Sequence, residues 1–432
     1  MSLNKLNIQS VCSYFHIAST LFLFCTIPFF YTMFTQYGLI LFFTSFVLDY
    51  IASKRWQQGF KLDKPRIISL FLLLQIVLLF VFSFFEQDTR YLSTFYEYRS
   101  ILLAFGIVGL LGVSDKFKIR PFAYLSILSV LICIYCTIEL LPEYYDKLTN
   151  INLKLKEIRL ARAFNISSHM MINTFLSVGM ILFAKVISIS KSKLEKAFCI
   201  IMIIVYYALI ILSDGRIGMM NASIILFCIV LRFAAVKLKY LVPTLIGMLS
   251  ILCLGICFLL SDSPIKKDIT VLKKNNPREY IWKDGIELIK ESPIIAKGAS
   301  TNALRVKEKL LNDEELKKIE IFLIKRLNED KVYAMHTHNQ LMQSWQEYGL
   351  IGVFAIVALF VSIFLYAKSS LSMFILFSMI SIQLMTDVID GSVGNLGFSM
   401  YIYLMFILFS SKQVGKEKIS SPNEALSAPS NA

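Results

Sequence analysis

His336-Thr337-His338-Asn339-Gln340-Leu341-Met342-Gln343-Ser344-Trp345-Gln346-Glu347-Tyr348-Gly349-Leu350-Ile351-Gly352 is the junction on which the reading of this chain turns. Before it lies the one long hydrophilic segment, and after it an apolar run begins. Two of the four histidines of the chain stand here. A titratable pair held where a polar segment meets an apolar helix is well placed for chemistry at a membrane surface.

Working outward, the class follows from composition. The chain has 432 residues, of which 56% are hydrophobic and only 17% charged. Soluble domains carry about 25% charged residues. Apolar runs close to the roughly 20 residues that cross a bilayer as a helix recur along the whole chain. They fall near 15–33, 37–53, 67–85, 98–113, 122–142, 168–189, 197–212, 219–236, 240–260, 342–366, 371–386 and 397–410. Continuous runs exclude a β-barrel, whose strands would be short and alternating. The expected fold is an all-α polytopic membrane protein of about 12 helices with one large helical loop.

A net charge of +14 does not point to nucleic acid, because the basic residues are spread over short loops between apolar runs. They read as topology determinants. Alternate loops carry Lys54, Arg55, Lys61, Lys64 and Arg66; Lys116, Lys118 and Arg120; Lys191, Lys193 and Lys196; Arg232, Lys237 and Lys239; Lys368; and Lys412, Lys416 and Lys418. With twelve spans these share the cytoplasmic side, with both termini. The first run reads as a retained span, since no small-residue cleavage site follows it. The organisation is then membrane helices over 1–260, an outward loop over 261–341, further membrane helices over 342–410 and a disordered cytoplasmic tail over 411–432. The eight cysteines all lie in or beside apolar runs, so no disulfide framework staples the loop. Cys133 and Cys136, mid-span, read as small packing residues.

The suspicious polar groups converge on the outward side. In the long loop, Asn276-Pro277-Arg278-Glu279 is a helix start, with Asn as cap, Pro first and Glu third, and Pro293 is its stop. A second helix is expected from Asn312-Asp313-Glu314-Glu315, with Leu316, Ile319, Phe322, Leu323 and Leu327 on one stripe. No internal repeat, Gly-rich phosphate loop, G-x-S-x-G or H-E-x-x-H is present.

His338 can take a proton from an attacking hydroxyl. His336 and His338 lack the further ligand that a metal needs, so no metal site is expected. Arg216, in the turn Ser213-Asp214-Gly215-Arg216, has two readings. It snorkels to lipid phosphates, or it is a fixed fork for a phosphate or diphosphate. Arg278 lies in a first helical turn, where free N–H groups favour an anion; a plain surface charge is the alternative. Arg159 and Arg162 are weaker candidates of the same type. Asp387 could orient an imidazolium or pair with an arginine. Arginines and a histidine facing outward above a membrane body suggest group transfer from a lipid-linked diphosphate, with no nucleotide cofactor.

These residues resemble a known family, the bacterial O-antigen ligases, which share a superfamily with the O-antigen polymerases. His336-x-His338-Asn339 followed by Glu347-x-Gly349 and Gly352 is similar to the ligase motif ending the large periplasmic loop. Arg278-x-x-x-Trp282 through Glu291-Ser292-Pro293 to Gly298 is similar to the family's loop helix and turn. Ser213-Asp214-Gly215-Arg216, Arg162 to Asn173 and Thr386-Asp387 resemble further family segments, although Asp214-Gly215 departs from the Ser/Thr-polar pair common in relatives.

The resemblance implies a GT-C-like glycosyltransferase architecture in a Gram-negative inner membrane. It implies transfer of polysaccharide from an undecaprenyl diphosphate donor to a sugar of lipid A–core at the periplasmic face. His338 would be the base, and Arg216 and Arg278 would hold diphosphate. Arg159, Arg162, His336, Asn339 and Asp387 would join the substrate site. Inversion, without ATP or metal, is implied. An O-antigen polymerase or a protein O-oligosaccharyltransferase is the alternative. A polysaccharide exporter fits least, since the spans are nearly free of charge and no repeated halves occur.

Overall fold

The structure is a computed structural model. It describes residues 8–26, 33–54, 57, 64–83, 118–128, 130–131, 169–212, 221–230, 277–312, 314 and 339–367. Among the described residues every regular element is an α-helix and none is a strand. They are α1 (Ile8–Thr26), α2 (Met33–Ala52), α3 (Lys64–Ser83), α4 (Ile119–Leu125), α5 (His169–Ile189), α6 (Lys193–Leu212), α7 (Pro277–Glu291), α8 (Ala299–Asn312), α9 (Gln340–Tyr348) and α10 (Leu350–Ala367). A further helical stretch covers Asn221–Val230. The expected runs 98–113, 240–260, 371–386 and 397–410, and the tail 411–432, lie outside the described residues.

Among the described residues one helical window, Ile8–Cys25, is long and apolar enough to cross a membrane. Tyr37–Ala52, Phe175–Ile189, Asn221–Val230 and Leu350–Leu365 are apolar but shorter. The first helix starts earlier than the apolar run at 15 that predicted it. Hydropathy marks only the apolar part of a helix, while backbone bonding continues through its polar first turns.

The helices pack in two groups. In the first, α1 pairs with α2, α5 with α6, and α4 lies against α1 and α5. Aromatic rings fill its core: Phe24 meets Phe122 edge-on at 5.2 Å and Phe175 at 5.5 Å. Several of its buried polar groups are bonded to one another, as an apolar interior favours. The Tyr206 hydroxyl and Ser126 Oγ are 2.8 Å apart, and His16 Nδ1 lies 3.0 Å from Ser45 Oγ.

Two basic loops expected on the same side do meet. Arg120 Nε is 3.1 Å from Glu195 Oε1, and the Tyr124 hydroxyl donates to the same carboxylate at 2.7 Å. Ser192 caps α6, its Oγ accepting from Glu195 N at 3.3 Å, which is the Ser-x-x-Glu start.

The second group is α3 with α7 to α10. Leu78 and Phe82, near the C-terminal end of α3, are buried with Tyr348 and Ala355. Phe82 and Tyr348 meet edge-on at 5.4 Å. Tyr348 is therefore joined to one particular end of α3, the end opposite the basic residues Lys64 and Arg66.

Candidate functional site

Helix α7 runs from Pro277 to Glu291, as its Asn-Pro start and Pro293 stop predict. The next helix, α8, is one that the sequence did not announce, and Asn312 is its last residue. Glu314 is helical, and the stripe from Leu316 onward lies outside the described residues. Polar Ser300, Thr301 and Asn302 disguised the start of α8, but Val306 and Leu310 four residues on are both fully buried. Helix α8 packs against α7, on which Ile281 and Leu288 are buried as well.

A charge ladder closes this hairpin of helices. Glu287 and Glu291 are four apart on α7, and Arg305 and Lys309 are four apart on α8, so each pair shares one face. Arg305 bonds Glu291, and Lys309 lies 2.6 Å from Glu287 and 3.8 Å from Glu291.

The hydrogen bond from Lys309 holds Glu287 below the usual carboxylate range, and that from Arg305 does the same for Glu291. A lowered folded-state pKa adds stability that is present above the unfolded value and is lost as pH falls through the folded one. Limited proteolysis of the loop should therefore be flat from pH 7 to about 5 and accelerate below about 4.3. Glu287→Gln with Glu291→Gln should remove that acceleration. The half-exposed pairs limit the effect to about 1 kcal/mol. An identical pH profile in the double variant would contradict the ladder's role.

Helix α9 begins directly after the two histidines. Asn339 is extended, with φ −151° and ψ 115°, and its side chain accepts from Met342 N at 3.1 Å. That is a standard cap, and it orients the first free N–H groups and the positive helix end toward the residues that precede it. The helix is polar yet enclosed: Gln340, Gln343, Ser344, Gln346 and Glu347 are all buried. Burying such groups costs free energy unless they are bonded. Gln340 Nε2 donates to Ser344 Oγ at 3.0 Å, and Gln343 Nε2 donates to Glu347 Oε1. Helices α3, α7, α8 and α10 all pack against α9.

The apolar run 342–366 predicted a single helix. It is two helices, and Gly349 separates them. Gly349 has φ 71° and ψ −154°, a conformation open essentially to glycine. The reason is a strap, residues 293–298, that crosses here. Leu350 N donates to Ile294 O at 3.1 Å, and Gly298 N to Glu347 O at 3.1 Å. Trp345 Nε1 donates to Pro293 O at 2.9 Å. A Cβ on Gly349 would stand 2.2 Å from Ile294 O, and one on Gly352 would stand 2.3 Å from Ser344 O. The Glu347-x-Gly349 and Gly352 pattern is thus a requirement of close backbone approach. The turn that follows the Arg278 helix is joined to the helix that follows His338.

Of the predicted site residues, Asn339 is placed fully, as the α9 cap. Arg278 is placed by its backbone as the second residue of α7. His336, His338, Arg216, Arg159, Arg162 and Asp387 lie outside the described residues. Sequence reasoning missed α8 and gave Trp345 no role. The i, i+4 charges on both sides of Gly298 were the available signal for α8.

A family model described as O-antigen ligase matches residues 197–357, less than half of the chain. The match includes α6 through the first half of α10, and so the strap, the α9 cap and Gly349. No curated protein matches the chain.

Proposed function

We propose that this chain, whose residues 197–357 match the O-antigen ligase family, a family of bacterial membrane proteins, transfers a polysaccharide from undecaprenyl diphosphate to a sugar hydroxyl of lipid A–core. The setting is the periplasmic face of a Gram-negative inner membrane, with about twelve spanning helices in a GT-C-like arrangement and both termini in the cytoplasm. The pairing of Arg120 with Glu195 at one end, and of Phe82 with Tyr348 at the end of α3 away from its basic residues, supports that alternation of sides.

The observation that carries the reading is the strap. Three hydrogen bonds of 2.9–3.1 Å tie the segment leaving the Arg278 helix to the segment entering from His338. Two motifs far apart in sequence thereby become one body. In the proposed mechanism His338 takes the proton of the acceptor hydroxyl, which attacks the anomeric carbon. The sugar–diphosphate bond breaks in the same displacement, inverting the centre. Arg216 and Arg278 hold the diphosphate and neutralise its growing charge. Arg159, Arg162, His336, Asn339 and Asp387 complete the substrate site. The reaction draws on no ATP, because the diphosphate itself is the leaving group, and on no metal, because Arg216 and Arg278 take the charge-neutralising role.

The direct test uses the purified chain with lipid-diphosphate-linked glycan and lipid A–core, in chelator and without nucleotide. Transfer is expected; a strict requirement for a nucleotide would overturn the proposal. In the same assay Arg216→Lys and Arg278→Lys should each lose about tenfold or more in kcat/KM. A lost charged hydrogen bond costs roughly 1.5–3 kcal/mol, and an ammonium does not replace a planar fork. Full activity of both variants would remove the arginines from the diphosphate site.

A further inference from the structure

Exposed apolar side chains on α10 form one stripe: Leu350, Ile351, Phe354, Val357, Val361, Phe364 and Leu365. Their spacing, three or four residues with neighbours paired at both ends, keeps them on one face. The opposite face, with Ala355, Ile356, Leu359 and Ile363, is buried. An apolar helix with one face in the protein core and the other wholly apolar and exposed has its outer face toward lipid.

The strap prolongs this stripe past the helix start. Ile294 is 65% exposed and Ile295 66%, although Ile294 is bonded to Leu350 at the top of α10. Adjacent apolar side chains this open are rare on a surface facing water alone. On either side stand the exposed Lys290 and Lys297, while Glu291, between Lys290 and the isoleucines, is neutralised by Arg305. An apolar tip flanked by exposed cations is complementary to the headgroup zone of a bilayer, with carbon below and phosphate beside it.

We propose that the turn from Ser292 to Lys297 is a membrane-contacting tip, with Ile294 and Ile295 in the outer leaflet and Lys290 and Lys297 at its phosphates. The tip fixes the height of the candidate site. Its strap is bonded to the C-terminal end of α9, and α9 rises about 1.5 Å per residue, so Asn339 stands roughly 15 Å along the helix axis from Gly349.

The inference rests on the membrane reading of the chain and not on the transfer chemistry. The test is an environment-sensitive fluorophore on Ile295→Cys. Phe354→Cys and Glu308→Cys serve as lipid and water references, and the dye-treated parent chain as baseline. The full chain is placed in nanodiscs of phosphatidylethanolamine and phosphatidylglycerol. The expected result is that quenchers carried on lipid chains remove most of the emission at position 295, as at 354, while iodide removes it only at 308.

Iodide quenching at 295 with lipid quenching at 354 would overturn the tip and leave the membrane reading standing. Iodide quenching at both would overturn both. Shielding of position 295 from both quenchers would put protein, a second copy included, over the tip and would equally overturn it.

Discussion

His338→Ala abolishes the attachment of long glycan to lipid A–core while the protein still inserts and accumulates. The loss expected is that of a general base, roughly 10²–10⁴-fold. Two features lead to it. Imidazole is the side chain whose ordinary titration lies near neutrality, so it can accept a hydroxyl proton and release it again. The residue after it, Asn339, is held as the cap of a buried helix that carries two side-chain hydrogen bonds along its own length. A histidine needed only for the fold would reduce accumulation in step with activity. The check is therefore paired, with glycan transfer measured per unit of membrane-inserted protein. Normal specific activity in the Ala variant would end the assignment of His338 as the base.

Gly349→Ala should also be damaging, for a reason that is purely conformational. At φ 71° and ψ −154° the backbone of Gly349 lies where residues with a Cβ almost never go. Forcing one there costs about 1–3 kcal/mol. The added carbon would also stand 2.2 Å from Ile294 O and 2.6 Å from its carbonyl carbon. Those atoms are backbone and cannot swing aside, so the strap must lift. The Leu350 N–Ile294 O bond goes with it, and the Trp345–Pro293 bond is strained.

The expected outcome is a lower unfolding midpoint in detergent, a red-shifted Trp345 emission and at least a tenfold loss of transfer, the equivalent of about 1.4 kcal/mol. An Ala variant with an unchanged melt and full activity would show that the strap does not join the two motifs in any way that matters.

What the sequence revealed, and what it concealed, follows the range of the interactions. Helix α7 was legible because its signals are local: an asparagine, a proline and a second proline each restrict their own neighbourhood. The continuous run 342–366 was misread as one helix because hydropathy does not sense a carbonyl arriving from residue 294. Gly349 and Gly352 stood out as a pattern, but their reason, the strap, is a contact across more than fifty positions of sequence.

Helix α8 is hidden in the sequence because Ser300, Thr301 and Asn302 look like a loop, and the apolar stripe from Leu316 begins after α8 has ended. The buried polarity of α9 could not be anticipated from residue types, since Gln-, Ser- and Glu-rich segments normally face water. His338 and Arg216 were chosen for their chemistry. Among the described residues, Asn339 is the proposed site residue that gains a structural role from side-chain geometry.

The central claim is that the chain moves finished polysaccharide from a lipid diphosphate carrier onto lipid A–core. It is tested most directly by deleting the gene in its own host and analysing lipopolysaccharide and carrier-linked glycan side by side. The account predicts loss of the long-chain ladder with polymerised glycan stranded on the carrier. Core bearing a single repeat, with long chains on neither lipid, would mean polymerase chemistry instead, and an unchanged lipopolysaccharide profile would contradict the assignment of lipid A–core as the acceptor.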